Sequence, residues 1–244
     1  MDNLRDLIIK LEALKDKGWI QAINNHSTGI GTTLEHELKI YSGEFEIPDF
    51  GDIEIKTKKI GSISNITLFS AAPDSYVYEI KRIQKKYGYP HSKYSEFKVF
   101  NTTIAGNKFT SMSNKYHFII NVDWKNEKVV LNVHDKYSGA LIDNYSSWSF
   151  EMLKEKLYRK LKYLCVVKAE RKYEFPNVYY KYIDYNFYIL KDFIDFLKAI
   201  EKGIITITFK INVIKTGPKK GQIKDHGTSF DISEDNLSAI YYKI

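Results

Sequence analysis

The chain has 244 residues, 43% hydrophobic and 27% charged, which suits one large domain or two packed lobes and excludes a disordered or collagen-like chain. Thirty-seven Lys and Arg against 30 Asp and Glu leave +7, unevenly spread: residues 1–60 hold eight bases and eleven acids, so the remainder carries +10. One cysteine, Cys165, excludes an internal disulfide, no Cys/His pairing has zinc spacing, no run approaches the ~18 apolar residues of a membrane span, and the start (Asp2, Arg5, Asp6) is no secretory leader, so a cytoplasmic protein away from membranes is expected.

Leu4, Leu7, Ile8, Leu11 and Leu14 recur at steps of three and four, which predicts an amphipathic helix over 2–17 closed by Gly18. The polar stretch Asn24–Gly31 feeds Thr32-Thr33-Leu34-Glu35, a capping-box pattern opening a short helix to about Tyr41. Ile53 and Ile55, alternating with Glu54 and Lys56, and then Ile66, Leu68 and Ala71 predict two strands. Tyr78–Tyr87 reads as a helix ended by Gly88 and Pro90, and 116–133 as a hairpin turning at Lys125-Asn126-Glu127. A helix over Trp148–Lys160 with Ser149 as cap, a buried strand Tyr163–Val167, a helix Ile189–Ile200 ended by Gly203 and a β-branched strand Ile204–Ile214 complete the pattern. Interleaved helices and strands favour a mixed α/β (α+β) architecture around one main sheet.

The densest chemistry is Pro48-Asp49-Phe50-Gly51-Asp52-Ile53-Glu54-Ile55-Lys56. Residues two apart on a strand share a face, so Glu54 and Lys56 project together while Ile53 and Ile55 enter a core, and Asp49 lies just across a turn. Two carboxylates and an ammonium around one point suit a hard divalent cation, with the lysine left to hold or deprotonate a water. An ordinary half-exposed strand with Glu54 and Lys56 facing water fits the same letters. Asp49-Phe50-Gly51 also spells the magnesium loop of protein kinases, but no glycine-rich loop with its strand lysine lies upstream and no His-Arg-Asp loop exists.

Pro48-Asp49 with Glu54-Ile55-Lys56 is the signature of the PD-(D/E)xK nucleases, and Thr28-Gly29-Ile30-Gly31-Thr32-Thr33-Leu34-Glu35 resembles the glycine loop and helix of their MutH-like branch. The run Thr28–Pro73, the Trp148-Ser149-Phe150 start with Lys160-Leu161-Lys162-Tyr163, Tyr179-Tyr180-Lys181-Tyr182, and Asp225-His226-Gly227-Thr228 with Phe230 are similar to the MvaI/BcnI restriction endonucleases over nearly the whole chain. The resemblance implies a restriction-endonuclease-like fold, with a mixed central sheet flanked by helices and two lobes around a DNA cleft. Residues 1–110 would carry the catalytic lobe, and 111–244 the completion of the sheet and the DNA-recognition elements. It further implies a monomeric type II enzyme that uses Mg²⁺ to cut both strands of double-stranded DNA at a CC(A/T)GG-like pentanucleotide, leaving 5′-phosphates, with a companion DNA methyltransferase in the host. By position, Asp49 and Glu54 would bind the metal with the main-chain carbonyl of Ile55, Lys56 would orient or activate the water, and Glu35 would support the metal or Lys56. Read from its own neighbours, Glu35 serves equally as the last letter of the capping box, bonding back to Thr32.

The stretch Lys215–Asp225 holds Lys215, Lys219, Lys220 and Lys224 against Asp225, net +3. It is either a solvated lysine loop or a DNA element in which the lysines contact phosphates while Asp225, His226 and Thr228 reach base edges. The four arginines, Arg5, Arg82, Arg159 and Arg171, all lie outside it, so the bidentate arginine contact to guanine is absent there. Asp231 either accepts from cytosine or opposes binding. A second basic block, Glu151–Lys172, is net +5 and reads as mostly helical, lining the flank of the duplex. His36 carries no assigned role. The rivals are a MutH-like strand-nicking repair endonuclease, a non-catalytic DNA-binding module and an interaction protein without nucleic acid; complete Asp49, Glu54 and Lys56 argue against the second.

Overall fold

The structure, a computed structural model, describes residues 2–40, 47–112 and 115–244. The chain divides into two compact units that interleave in sequence: Met1–Ile66, Glu155–Lys191 and Ile240–Ile244 form the first, Thr67–Lys154 and Asp192–Ala239 the second.

In the first unit the helix Asp2–Asp16 follows the apolar period, burying Leu7, Leu11 and Leu14, and Gly18 takes the positive φ (69°) that ends it. These leucines pack with Leu34 and Leu38, Ile53, and Cys165, Val167 and Ala169. Each fully buried leucine contributes roughly 1.5–3 kcal/mol. The sheet beneath runs Ile20–Gln21, Asn177–Leu190, Tyr163–Glu174, Ile53–Lys59, with Tyr241–Lys243 attached to Asn177–Leu190. All its pairs are antiparallel except Ile53–Lys59 with Tyr163–Glu174, which is parallel and in register Glu54↔Leu164 and Lys56↔Val166.

The second unit holds two sheets. One runs Ser147–Ser149, Lys128–Asp135, Tyr116–Asp123, Thr110–Ser111, with Leu141–Asp143 on Lys128–Asp135. The other runs Ile66–Ser70, Ser229–Ile232, Ile205–Val213, Lys98–Ile104, Tyr89–Pro90, with Ile223–Asp225 on Ile205–Val213. Along Ile205–Val213 every second residue is buried, and Phe209 meets Phe100 at 5.3 Å between ring centres, while Phe230 meets Phe69 at 4.8 Å and Trp148 at 5.7 Å.

The structure corrects the sequence reading in four places. Among the described residues three sheets replace the one main sheet. The helix expected from Trp148 starts at Phe150: Trp148 is fully buried in a short strand with its indole N–H bonded to the Ala71 carbonyl at 2.9 Å, and Ser149 Oγ caps by accepting from Met152 N at 3.3 Å. The helix expected over Ile189–Ile200 spans Phe193–Glu201, because Ile189 and Leu190 still belong to a strand and Asp192 supplies the cap, accepting from Asp195 N at 3.0 Å. The block Glu151–Lys172 is about half strand, from Tyr163 onward.

Candidate active site

Asp49 is aimed by a turn. Phe50 and Ile53 exchange both main-chain hydrogen bonds (3.0 and 2.9 Å) around Gly51-Asp52, and Gly51 has φ +62°, the positive value that a primed hairpin turn needs at its first central residue. The chain doubles back, and Asp49 Oδ2 accepts from the Ile55 N–H at 2.9 Å. Ile53–Lys59 is the terminal strand of its sheet, and a residue's N–H and C=O point to the same side of a strand. The Ile55 carbonyl therefore shares the open edge with Asp49.

Glu54 faces the other way from Ile53, as the alternation requires, but it does not face water: it is 0% exposed. That removes the half-exposed-strand reading. Its Oε1 receives Lys56 Nζ at 2.5 Å and Lys160 Nζ at 3.3 Å, and its Oε2 has no hydrogen-bond partner. Burial pushes the Glu54 carboxyl above its ordinary range; Lys56 and Lys160 oppose this only in part and the Asp49 charge adds to it. Lys160, 106 residues from Glu54, entered the sequence reading only within the Lys160-Leu161-Lys162-Tyr163 resemblance and the basic block, with no role at the site. The helix Phe150–Lys160 ends just before the strand that pairs in parallel with Ile53–Lys59, and this long-range register brings its last lysine to Glu54.

Glu35 lies half-buried on the helix Gly29–Glu37. Burial raises its carboxyl pKa, the Asp49 charge raises it further, and Lys56 and Lys160 lower it, so Glu35 shares the field of the same cluster. The capping-box reading is incorrect. The helix begins at Gly29, four residues before the expected start, and Thr32 inside it bonds back to the Thr28 and Gly29 carbonyls while accepting from Asn24 Nδ2 at 2.9 Å. Only glycine fits at 29, where a Cβ would stand 2.5 Å from the Asn24 carbonyl. The helix stops at Glu37 with Lys39 at φ 57°, Ile40 N–H reaching the Glu35 carbonyl and Lys39 N–H that of His36; Tyr41, its expected end, lies outside the described residues. His36 is an exposed neighbour of Glu37, 3.6 Å away.

The basic stretch belongs to the second unit and is not one free loop: Ile223–Asp225 pairs with Ile205–Val213. Lys219, Lys220, Lys224, Asp225 and His226 are exposed and Lys215 is half-buried. Asp225 Oδ1 accepts from Gly227 N at 2.9 Å, which folds the His226 corner. Thr228, expected to reach a base edge, is instead 0% exposed, because the strand Ser229–Ile232 begins beside it and turns its side chain inward. Asp231 fits neither sequence reading, since it is buried and saturated by Thr67 Oγ1 at 2.7 Å and Ser229 Oγ at 2.8 Å.

The first-unit cluster suits a hard cation. Its donors are oxygens: the Asp49 carboxylate, the unpaired Glu54 Oε2 and the edge carbonyl of Ile55. Among the described residues no group of three or more His, Cys, Asp or Glu side chains is gathered to hold a metal; two carboxylates and a carbonyl could supply part of a shell, with waters completing it. Also among the described residues, no helix is long and apolar enough to cross a membrane.

A profile of the MvaI/BcnI restriction endonuclease family matches residues 8–241. No match is found among curated proteins. Among solved structures, the chain is similar to restriction endonuclease MvaI in complex with its cognate DNA substrate, at 33% identity over 100% of this chain and 98% of that one, with a TM-score of 0.90. It is also similar to MvaI in the absence of DNA, at 32% identity over 100% and 97% of the two chains, with a TM-score of 0.63.

Proposed function

The chain belongs to the MvaI/BcnI restriction endonuclease family and is a type II site-specific deoxyribonuclease, and from that premise we propose that Asp49, Glu54, Lys56 and Glu35 cut double-stranded DNA with Mg²⁺. The observation that carries this assignment is Glu54, a carboxylate without solvent exposure whose one oxygen is shared by two ammonium groups and whose other oxygen has no partner. Such an arrangement is costly in a purely structural role, because a buried charge is tolerated only when its hydrogen bonds are complete.

Mg²⁺ held by Asp49, Glu54 and the Ile55 carbonyl would supply the positive charge that offsets the scissile phosphate as its 3′-oxygen departs. The residues do the rest. Lys56 Nζ donates to Glu54 and has further protons with which to hold a water in line with the phosphorus. As that water gives up a proton to solvent and its oxygen bonds to phosphorus, the P–O3′ bond breaks and the departing 3′-oxygen takes up a proton from water, so the products are a 5′-phosphate and a 3′-hydroxyl. Lys160 keeps Glu54 Oε1 paired while Lys56 turns to the water, so the buried carboxylate never stands without a counter-charge. Glu35 steadies Lys56 from the neighbouring helix.

DNA reading falls to the second unit. Lys215, Lys219, Lys220 and Lys224 contact phosphates, which position the duplex, and Asp225 and His226 reach base edges, which specify the site. Thr228 supports that corner from inside. Family membership and the DNA complex of MvaI support a DNA substrate; a CC(A/T)GG-like target, a monomer and a companion methyltransferase in the host belong to the same proposal. Digestion of plasmid and phage DNA in Mg²⁺, beside an EDTA control, tests the reading. Discrete fragments with 5′-phosphates that require the metal are expected, and sequencing their ends gives the site. Nicked circles that never become linear would point to a MutH-like strand nickase, and intact DNA would remove the assignment.

A further inference from the structure

The strand Tyr241–Lys243 brings the chain back to the Glu54 cluster. Tyr241 pairs with Leu190 and is 1% exposed, and its hydroxyl donates to the Leu161 carbonyl at 3.2 Å. That carbonyl lies just past the helix Phe150–Lys160, where the final carbonyls have no partner within the helix. Leu161 N–H still bonds back to the Leu157 carbonyl at 2.9 Å, and the Lys162 carbonyl accepts from Leu190 N at 3.0 Å. The peptides on both sides of Leu161 are therefore fixed, one by the helix and the other by the phenol. Lys160, the residue before, is the one whose Nζ stands 3.3 Å from Glu54 Oε1.

We propose that Tyr241 is a positioning residue for cleavage: by holding the Leu161 carbonyl, its phenol seats Lys160 against Glu54. The inference rests on the nuclease reading above, with its use of Lys160, and adds a residue that the reading leaves out. A lysine has a flexible four-carbon stem, so its ammonium keeps one place only if the backbone beneath it is fixed. Packing needs only the Tyr241 ring, which meets Tyr188 edge-on at 6.1 Å between centres, and phenylalanine would serve there. The hydroxyl is an added cost in an apolar place, offset by the carbonyl that it satisfies. It also lies within the field of the cluster. Burial, and then the Glu54 charge, push the phenol above its ordinary range, so Tyr241 stays a donor at neutral pH.

The test measures kcat and KM on a duplex carrying the cut site mapped by digestion, for the full chain as wild type, Tyr241→Phe, Lys160→Met and the double variant, with a urea titration of each. Tyr241→Phe removes one oxygen and keeps the ring. It is expected to lose roughly tenfold in kcat with KM for DNA little changed. Added to Lys160→Met it should cost less than about twofold more, because both changes act on one contact. A packing role would instead lower the rate only in proportion to the unfolded fraction, and would add in full to Lys160→Met. Either of those results overturns the proposal, as does a Tyr241→Phe or a Lys160→Met that cuts like wild type. Wild type that leaves DNA intact in Mg²⁺ fails the nuclease reading itself, which separates the two.

Discussion

Each unit buries a carboxylate among cations, and the two carboxylates move in opposite directions. In the second unit Asp143 accepts from Arg82 at 2.6 Å, Lys86 at 2.7 Å, Tyr87 at 2.5 Å and the Tyr145 N–H at 3.0 Å. Burial alone would raise its pKa, but these donors hold it well below the usual carboxylate range. In the first unit Glu54 is more deeply buried, shares one oxygen between two lysines, and is pushed up. An unpaired oxygen is not by itself the difference, since Glu79 beside Arg82 also leaves one. What sets Glu54 apart is a second carboxylate, Asp49, whose charge disfavours its ionised form and whose turn faces an open strand edge. A carboxylate with its donors complete, as at Asp143, fastens a fold, whereas one raised by a neighbouring acid, as at Glu54, is the arrangement that the proposed metal site would use.

The comparison breaks most sharply at Glu54. Glu54→Gln is expected to lower cleavage on the order of 10³-fold, measured in single turnover. In EDTA the same change should raise the melting temperature at neutral pH by a few degrees, on the order of 1 kcal/mol. The sign follows from a raised folded-state pKa: ionised Glu54 costs stability above that pKa, and the cost fades as pH falls through it to below the ordinary carboxylate value, so the advantage of the glutamine should fade with it. Asp143→Ala should do the reverse, costing about 1–3 kcal/mol in urea denaturation by taking from Arg82, Lys86 and Tyr87 the carboxylate they share. Because the Asp143 pKa is depressed, its contribution is full above the ordinary Asp value and lost as pH falls toward its folded pKa, so wild type and Asp143→Asn should converge in stability in acid.

Lys160→Met should cost about 10–100-fold in kcat, the size expected of a residue that orients a ligand-bearing side chain, with Lys160→Arg recovering part of it and KM for DNA little changed. The smallest effect is Lys39→Gly, which relieves a left-handed lysine at the end of the helix that carries Glu35 and should stabilise by about 0.5–1 kcal/mol in thermal melts.

What the sequence made legible was local. The first helix, the 116–135 hairpin and the placing of Glu54 and Lys56 on one face all follow from periods of 3.6 or 2 within a dozen residues. Asp49 was readable because a glycine turn joins it to the same strand. The helix of Glu35 was misplaced because a Thr-x-x-Glu pattern marks a helix start only when the chain before it is not already helical, and here the glycine loop starts the helix earlier. Lys160 was out of reach: a parallel pair closed across about a hundred residues has no local signature, and a lysine at a helix end reads as surface. Asp231 and Thr228 were misread for the same reason, since the burial of one strand depends on partners distant in the chain.

The most direct measurement compares Glu54→Gln and Asp143→Asn in one series of single-turnover cleavage and urea titration, on a duplex containing the mapped site, well below either melting point. The account expects Glu54→Gln to be folded, at least as stable as wild type in EDTA, and on the order of 10³-fold slower, and Asp143→Asn to be markedly less stable yet to cut at nearly the wild-type rate per folded molecule. Cleavage by Glu54→Gln in Mg²⁺ at near the wild-type rate, or a fully folded Asp143→Asn that does not cut, would contradict it.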